Sequence, residues 1–463
     1  MNKYPKYKDS GIDWLGDIPK HWERQKIMGI TKIYSIKNRP KEELLSVYRD
    51  YGVIIKSSRD DNHNKPGLDL SNNKYVFKGA LVLNKMKTWQ GSLGVSKYEG
   101  IVSPAYITCK INFKKVEGDF LNFLLRCKNY IFEYNRLSYG VRPSQWDMRY
   151  DDFKNIVLFL PPKPEQTTIA NFLDYKLEKI DRFITKKKAL IELLNEQKAA
   201  IINQAVTKGL NPNAKMKPSG IEWLGDIPES WAQTKLKSIG FLYGGLSGKS
   251  GKDFKIDNHP NNKYYIPFTN IANNSIINNN QLDTVIFYEN EKQNEVLKND
   301  LLFLMSSETY DDIGKSALMK YDINEAYLNS FCKGFRIVSK HINSSFLNFL
   351  LMANVYRTQL IIEARGFTRI NLKIQKVKDL TFFYPNSIEE QTKILTYIET
   401  ETIKIDKTIA TIKKEISLVE EYKTALIAEA VTGKIDVRDF EIPQIEMPLA
   451  MVAEDAEIYE KEN

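Results

Sequence analysis

Two kinds of stretch carry side chains suited to handling a nucleic acid. The first is Asn84-Lys85-Met86-Lys87-Thr88-Trp89-Gln90-Gly91, which follows an apolar run. Lys85 and Lys87 can neutralise phosphates, Gln90 can pair with an adenine edge, and Trp89 can stack or wedge. The plainer alternative makes Trp89 a core residue. At the matching place in the second half stands Met305-Ser306-Ser307-Glu308-Thr309-Tyr310, polar but not basic. Ser306 and Ser307 are the candidates there, so the chemistry is not the same in the two halves.

The second kind is Tyr139-Gly140-Val141-Arg142-Pro143-Ser144-Gln145-Trp146. It aligns at an offset of 226 with Arg365-Gly366-Phe367-Thr368-Arg369-Ile370-Asn371-Leu372. Each joins a Gly turn to Arg and a terminal amide. Arg suits guanine or phosphate, and Gln or Asn suits adenine. The candidates are Arg142, Ser144 and Gln145 in one copy and Arg365, Thr368, Arg369 and Asn371 in the other. A structural loop with a surface Arg is the alternative.

Catalytic constellations are not found. Gly244-Gly245-Leu246-Ser247-Gly248-Lys249-Ser250 resembles a phosphate-binding loop, but that motif needs Gly at 243, where Tyr243 stands. It reads as a glycine-rich loop after the first strand of its region, with Lys249 and Lys252 still candidates for phosphate. His21, His63, His259 and His341 are isolated, without ligand-spaced Cys or carboxylates. No Asn-Pro-Pro-Tyr or Asp-Pro-Pro-Tyr methyltransferase motif occurs, nor a Gly-rich S-adenosylmethionine loop. Glu421-Tyr422-Lys423 has nuclease-like spacing but lies on a long helix, where a structural role is expected.

The totals agree with a binder of polyanions. Net charge is +9 over 463 residues, enough length for two or three domains. Residues 23–150 hold 23 Lys/Arg against 12 Asp/Glu, residues 232–380 hold 19 against 14, and 438–463 hold 2 against 8. Positive charge therefore gathers in two internal regions, while the end reads as an acidic, mobile extension. A solvated Lys-rich surface is the alternative for the basic regions. Cys109, Cys127 and Cys332 form no CxxC pair, which points to a reducing cytoplasm. Neither a signal peptide nor a membrane-length apolar run is seen.

What must position these loops is written twice. Ser10-Gly11-Ile12-Asp13-Trp14-Leu15-Gly16-Asp17-Ile18-Pro19, then Trp22, recurs as Ser219–Pro228, then Trp231, at an offset of 209. Its Trp and Ile are expected to dock on a neighbouring surface, with Gly and Pro shaping a turn before the first strand. Glu165–Thr207 recurs without a gap as Glu390–Thr432 at an offset of 225, each opening Glu-Gln-Thr and closing Ala-Val-Thr. Forty-three residues without Pro, with Gly only beyond the end, predict one helix of ~64 Å at ~1.5 Å per residue. Leu173, Ile180, Lys187, Leu194 and Ile201 match Ile398, Ile405, Ile412, Val419 and Leu426, with Ile184, Ile191, Lys198 and Ala205 between them. That spacing predicts a coiled-coil seam in which each helix is the partner of the other. Lys187 opposite Ile412 is its weak point. Two ordinary amphipathic core helices are the alternative.

The intervening regions differ far more than these flanks. They share Phe120-Leu121-Asn122-Phe123-Leu124-Leu125 against Phe346-Leu347-Asn348-Phe349-Leu350-Leu351, and apolar strands Ile156–Pro161 and Leu380–Pro385. Elsewhere short β runs are expected at 75–77, 80–83, 101–109, 285–288, 301–305 and 334–338. The fold class is α+β: two α/β target-recognition domains joined by two long antiparallel coiled-coil helices, in a pseudo-two-fold internal repeat. The boundaries read 1–160, 161–210, 211–385, 386–435 and an acidic tail 436–463.

The chain resembles the DNA-specificity subunits of type I restriction–modification systems. The likeness rests on the duplicated Ser-Gly-Ile-x-Trp-Leu-Gly-x-Ile-Pro-x-x-Trp, the Glu-Gln-Thr openings behind Pro161 and Pro385, and two dissimilar regions between them. Asn84–Gly91 and Ile101–Tyr106 also look like parts of that family's recognition domains. The resemblance covers about residues 4–435. It implies a non-catalytic reader of a bipartite, asymmetric site on double-stranded DNA, with the paired helices setting the distance between halves. It implies two copies of a DNA adenine methyltransferase (modification) subunit and further restriction/translocase subunits as partners. S-adenosylmethionine, ATP and Mg2+ would sit on those partners and no cofactor on this chain. Two other classes remain beside it: a coiled-coil scaffold whose modules bind protein, and a stand-alone nuclease or NTPase.

Overall fold

The computed structural model describes residues 2–59, 67, 69–140, 146–254, 259–366 and 368–443. Internal packing divides the chain into two compact units, Met1–Lys187 with Lys414–Asn463, and Lys188–Lys413. The division cuts through both long helices, so each unit holds part of each.

Those helices are Lys163–Lys208 and Ile388–Val431. Pro164 falls in the first turn, where a missing N–H leaves no gap in the helical ladder. Gly209 and Gly433 stop the helices in left-handed conformation, at φ +73° and +72°. In the first unit Asp181 pairs with Lys423 at 2.5 Å and Lys187 with Glu415 at 2.8 Å. One partner number rises as the other falls, so the helices run antiparallel there. Lys198 pairs with Asp406 at 2.7 Å in the second unit. That is the first pair moved by the repeat: residue 181 maps to 406 and 423 maps back to 198. The weak point expected at Lys187 is thereby corrected. An antiparallel course sets it beside Glu415 rather than Ile412, and the ammonium finds a carboxylate.

Both units build the same four-stranded antiparallel sheet. In the first its order is Thr31–Tyr34, Ile107–Ile111, Leu81–Leu83, Leu93–Val95; in the second Gly240–Gly244, Cys332–Ile337, Leu301–Leu304, Ser316–Leu318. Two helices pack behind each sheet, Gly118–Arg126 with Lys128–Leu137, and Ser344–Met352 with Asn354–Ile362. Their apolar residues Phe120, Leu121, Leu124, Phe346, Leu347 and Leu350 are fully buried. The strand expected over 101–109 is two strands, Gly100–Val102 and Ile107–Ile111, in different sheets. Pro104 between them lacks the N–H that a continuous ladder needs. The units differ around the sheet: the second adds a three-stranded sheet of Asp283–Ile286, Asn262–Ile266 and Ala326–Leu328.

The short repeat is a β-hairpin, pairing Tyr7–Asp9 with Asp17–Pro19 and Met216–Pro218 with Asp226–Pro228. Trp22 and Trp231 follow it into the core at 1% and 2% exposure. The indole N–H of Trp22 donates to Glu165 at 2.9 Å, and that of Trp231 to Glu390 at 3.0 Å. The adjoining Gln is a second fastening. Gln166 accepts from the Glu117 N–H at 2.8 Å and donates to the Pro161 carbonyl at 2.8 Å. Gln391 accepts from the Asn343 N–H at 2.9 Å and donates to the Pro385 carbonyl at 2.9 Å. Glu117 and Asn343 cap the first of the paired helices in each unit, so one amide ties helix start, strand end and long helix together. The hairpins are also held from the far ends of the long helices. Lys434 donates to the carbonyls of Leu15 and Asp17 in the first unit, and Lys208 to those of Leu224 and Asp226 in the second.

The stretch after residue 435 does not begin as a free acidic tail. Val437 is buried, Phe440 meets Phe172 and Tyr175 at ring distances of 5.2 and 5.6 Å, and Arg438 lies 5.1 Å over Tyr4. Residues 444–463, to which the rest of that expectation applies, lie outside the described ones.

Replacing Gln166 by Ala removes three hydrogen bonds, from the Glu117 N–H and to the Pro161 and Lys115 carbonyls, and strands the first two of these partners. The expected loss is about 1–3 kcal/mol of stability, read from denaturant unfolding of the full chain; a loss within error would mean the amide is dispensable.

Candidate nucleic-acid interface

Each unit brings its two candidate stretches together. In the first, Asn84–Gly91 leaves the strand Leu81–Leu83 and closes in a short 3-10 turn, Thr88–Gln90. Gly91 takes φ +93° there, which a side chain would strain. A bridge between Tyr139 and Asp147 closes the second stretch into a loop. The two meet at several points: Lys85 pairs with Asp147 at 2.5 Å, the Met148 N–H donates to the Lys85 carbonyl at 3.0 Å, and Trp89 meets Trp146 edge-on at 5.6 Å. Trp89 is half-buried, with its indole N–H on the Met86 carbonyl at 3.1 Å. It is neither plain core nor fully offered to solvent. Lys87 is exposed and Gln90 half-buried. Arg142, Ser144 and Gln145 lie outside the described residues.

The second unit repeats this plan with other chemistry. Arg365 and Asn371 bridge to close a loop, and the Leu372 N–H donates to the Met305 carbonyl at 2.9 Å, as Met148 does to Lys85. Gly366 has φ +153°, and a Cβ there would stand 1.9 Å from the Arg369 carbonyl oxygen, so only glycine fits. Arg365, Thr368, Arg369 and Asn371 are all exposed. The Arg369 guanidinium lies 4.0 Å over the Phe331 ring, and Arg365 donates to the carbonyls of Ile362 and Ala364 at the end of a helix.

Three expected contacts are otherwise employed. Ser306 and Ser307 pair with Asn371 and Ile370 as a short ladder, and are 7% and 3% exposed. They support the loop from beneath, and the exposed face belongs to the loop itself. Lys249 has a side chain only 3% exposed. Its ammonium reaches Glu291 and the Ile286 carbonyl, both at 2.5 Å, beneath the rings of Phe287 and Tyr288. It is an internal ion pair, not a phosphate ligand. The neighbouring glycines have a packing reason too: a Cβ on Gly245 would stand 2.0 Å from the Asn329 carbonyl oxygen.

Sequence reading passed over two residues beside the first loop. Arg149 lies 4.5 Å over the exposed ring of Tyr139, and the Tyr106 hydroxyl accepts from the Asn84 amide at 3.3 Å. For Arg149 the available signal was its place three residues after Trp146 and ten after Tyr139. Burial holds the Lys74 ammonium below its ordinary range, with Lys37 and Lys85 adding repulsion. The three thiols offer no nucleophile, since burial pushes Cys109 and Cys332 up to about 12 and Cys127 up to about 11. Among the described residues no group of three His, Cys, Asp or Glu could hold a metal. The described surfaces present charged and aromatic groups, as in Arg149 over Tyr139 and Arg369 over Phe331.

Changing Lys249 to Met leaves Glu291 nearly enclosed without its cation. That costs roughly 3–5 kcal/mol of stability, seen by chemical denaturation. DNA binding by the folded fraction should keep its salt dependence, and a flatter dependence would restore Lys249 as a phosphate contact.

Comparison with known proteins fits this duplicated layout. Residues 19–193 and 228–421 match the family model described as the type I restriction modification DNA specificity domain. The chain is 26% identical over 361 residues to the type I restriction enzyme MjaVIII specificity subunit of Methanocaldococcus jannaschii, covering 76% of this chain and 79% of that one. It is 24% identical over 345 residues to the type I restriction enzyme EcoBI specificity subunit of Escherichia coli, covering 71% and 68%. A solved chain described under complex assembly and conformational transition of the type I R-M system shares the fold, with TM-score 0.66 at 12% identity over 90% of this chain and 99% of that one. With the family model matched twice, over 19–193 and again over 228–421, the chain belongs to the type I restriction–modification DNA-specificity family.

Proposed function

We propose that this chain reads a bipartite, asymmetric site on double-stranded DNA, one half per unit, and performs no chemistry of its own. One observation carries the reading: both units lay a bridged loop on a strand-end segment through the same backbone hydrogen bond, Met148 to Lys85 and Leu372 to Met305, while the side chains presented differ. The first offers Lys87, Trp89 and Gln90 beside Arg149; the second offers Arg365, Thr368, Arg369 and Asn371. A common frame with different edges is what reading two different half-sites requires. Phosphate contacts by Lys and Arg would supply affinity, and amide and guanidinium groups base discrimination.

The two long helices act in this reading as a coiled-coil spacer that fixes the separation of the half-sites. The repeated hairpins and helices offer the same surface twice, which suits two copies of an adenine methyltransferase subunit. S-adenosylmethionine would be bound by those subunits, which flip the target adenine; ATP and Mg2+ would serve the restriction subunits. The complex would work in the cytoplasm. No helix among the described residues is long and apolar enough to cross a membrane.

Co-expression with the modification subunit and mapping of methylated adenines tests this directly. A two-part motif should emerge, and exchanging residues 23–150 for another module should change one half only. Changes in both halves would sink the modular reading, and an unmodified genome would sink the function.

A further inference from the structure

The first unit contains a cleft of about 720 Å³ that borders the reading loop through Trp89 and Gln90. Lys423 and Thr424 of the second long helix line it too, as do Arg49 and Lys128, which belong to neither reading loop. Four cations line it (Arg49, Arg126, Lys128 and Lys423) against the single carboxylate of Asp50.

The cations are not equally committed. Arg126 donates from Nη2 to the Arg49 carbonyl at 2.9 Å, and its buried Nε has no hydrogen-bond partner among the described residues. It fixes the Arg49 turn and leaves its positive charge facing the cleft. Arg49 pairs with Asp50 at 3.0 Å, but both side chains are more than 60% exposed. Such a pair is solvent-screened and weak, and a phosphate can displace it. Lys128 is exposed at the start of its helix. Lys423 is held by Asp181 at 2.5 Å and adds field more than a free hand. Trp89, Ile131 and Ile427 give the same cleft an apolar side. Cations on one side and apolar surface on the other suit a phosphodiester with its sugar.

We propose that this cleft grips the DNA backbone next to the half-site read by the first unit, with Arg49 and Lys128 as phosphate ligands. The assignment rests on the DNA-reading function proposed above and adds residues to it that lie outside both reading loops. The helix of the second unit that answers Lys128–Leu137 opens on Asn354 instead of a lysine, so the grip is one-sided. Non-specific affinity then comes mainly from the first unit.

The test uses the full chain in complex with its modification subunit, on duplexes carrying either the mapped site or a scrambled one. Arg49→Gln with Lys128→Gln removes two phosphate contacts. The slope of log affinity against log salt should then flatten by about 1.8, at ~0.9 per contact. Both duplexes should weaken alike, leaving the specificity ratio unchanged. An unchanged slope overturns the proposal; so does a collapsed ratio, which would mean base reading instead. A wild-type complex that fails to prefer the mapped site would defeat the function itself. Wild-type preference together with an unaltered slope in the double variant would defeat only the cleft.

Discussion

Everything in each unit hangs from a two-residue joint, the Glu-Gln pair that opens a long helix. The carboxylate takes the indole N–H of a buried tryptophan, and the amide spans a helix cap and a strand end. In the first unit Glu165 is 8% exposed and Gln166 1%; in the second Gln391 is 0% exposed and Glu390 half-buried. A buried amide with both ends satisfied is directional in a way that apolar packing is not. It sets the angle at which the long helix leaves the sheet. Lys208 and Lys434 then clamp the hairpins onto helix ends that arrive from the other copy of the repeat.

The joint explains which parts of the sequence repeat. Side chains that meet across it recur: Trp22 with Trp231, Glu165 with Glu390, Gln166 with Gln391, and the Trp14–Tyr130 edge contact with Trp223–Tyr356. Between them only burial has to be kept, and the two sheets reach the same strand order with little shared sequence. Differences accumulate where they alter presentation rather than support. The first unit adds a histidine and a tyrosine to its carboxylate, with His21 at 2.7 Å and the Tyr4 hydroxyl at 2.8 Å from Glu165. The second has Ser230 and Asn213 at those positions.

Much of this was legible in the residues because repetition removes ambiguity. A gap-free offset of 225 over the long helices identified both elements and their partnership, and heptad spacing picked out the faces that are buried or half-buried. Heptad spacing is silent on direction; the antiparallel course expected for the helices agrees with Asp181 beside Lys423 and Lys187 beside Glu415 in the first unit. The site was legible as segments, not as side chains. Stretches 84–91 and 139–146 do meet, yet Ser306, Ser307 and Lys249 turned out to be support. Serines in a polar run and a lysine after glycines look alike whether they face solvent or a buried partner. The carboxylate that claims Lys249 lies 42 residues away in sequence. Long-range pairing of that kind leaves no local signature.

The charge asymmetry between the units has a physical consequence for how one chain can search and read. Positive residues exceed negative ones by 11 over 23–150 and by 5 over 232–380. Phosphate attraction is common to every sequence, whereas amide and guanidinium contacts with base edges are not. If both units were strongly basic, non-specific affinity would rise twice over while discrimination rose not at all. Concentrating charge in one unit lets that unit hold the backbone during search. In the reading proposed above, the other, whose loop supports are uncharged serines, would contribute through Arg365, Arg369 and Asn371. The glycine at 366 matters for the same loop: a Cβ there would stand 1.9 Å from the Arg369 carbonyl oxygen, so any other residue would force the backbone that carries Arg365, Arg369 and Asn371 to move.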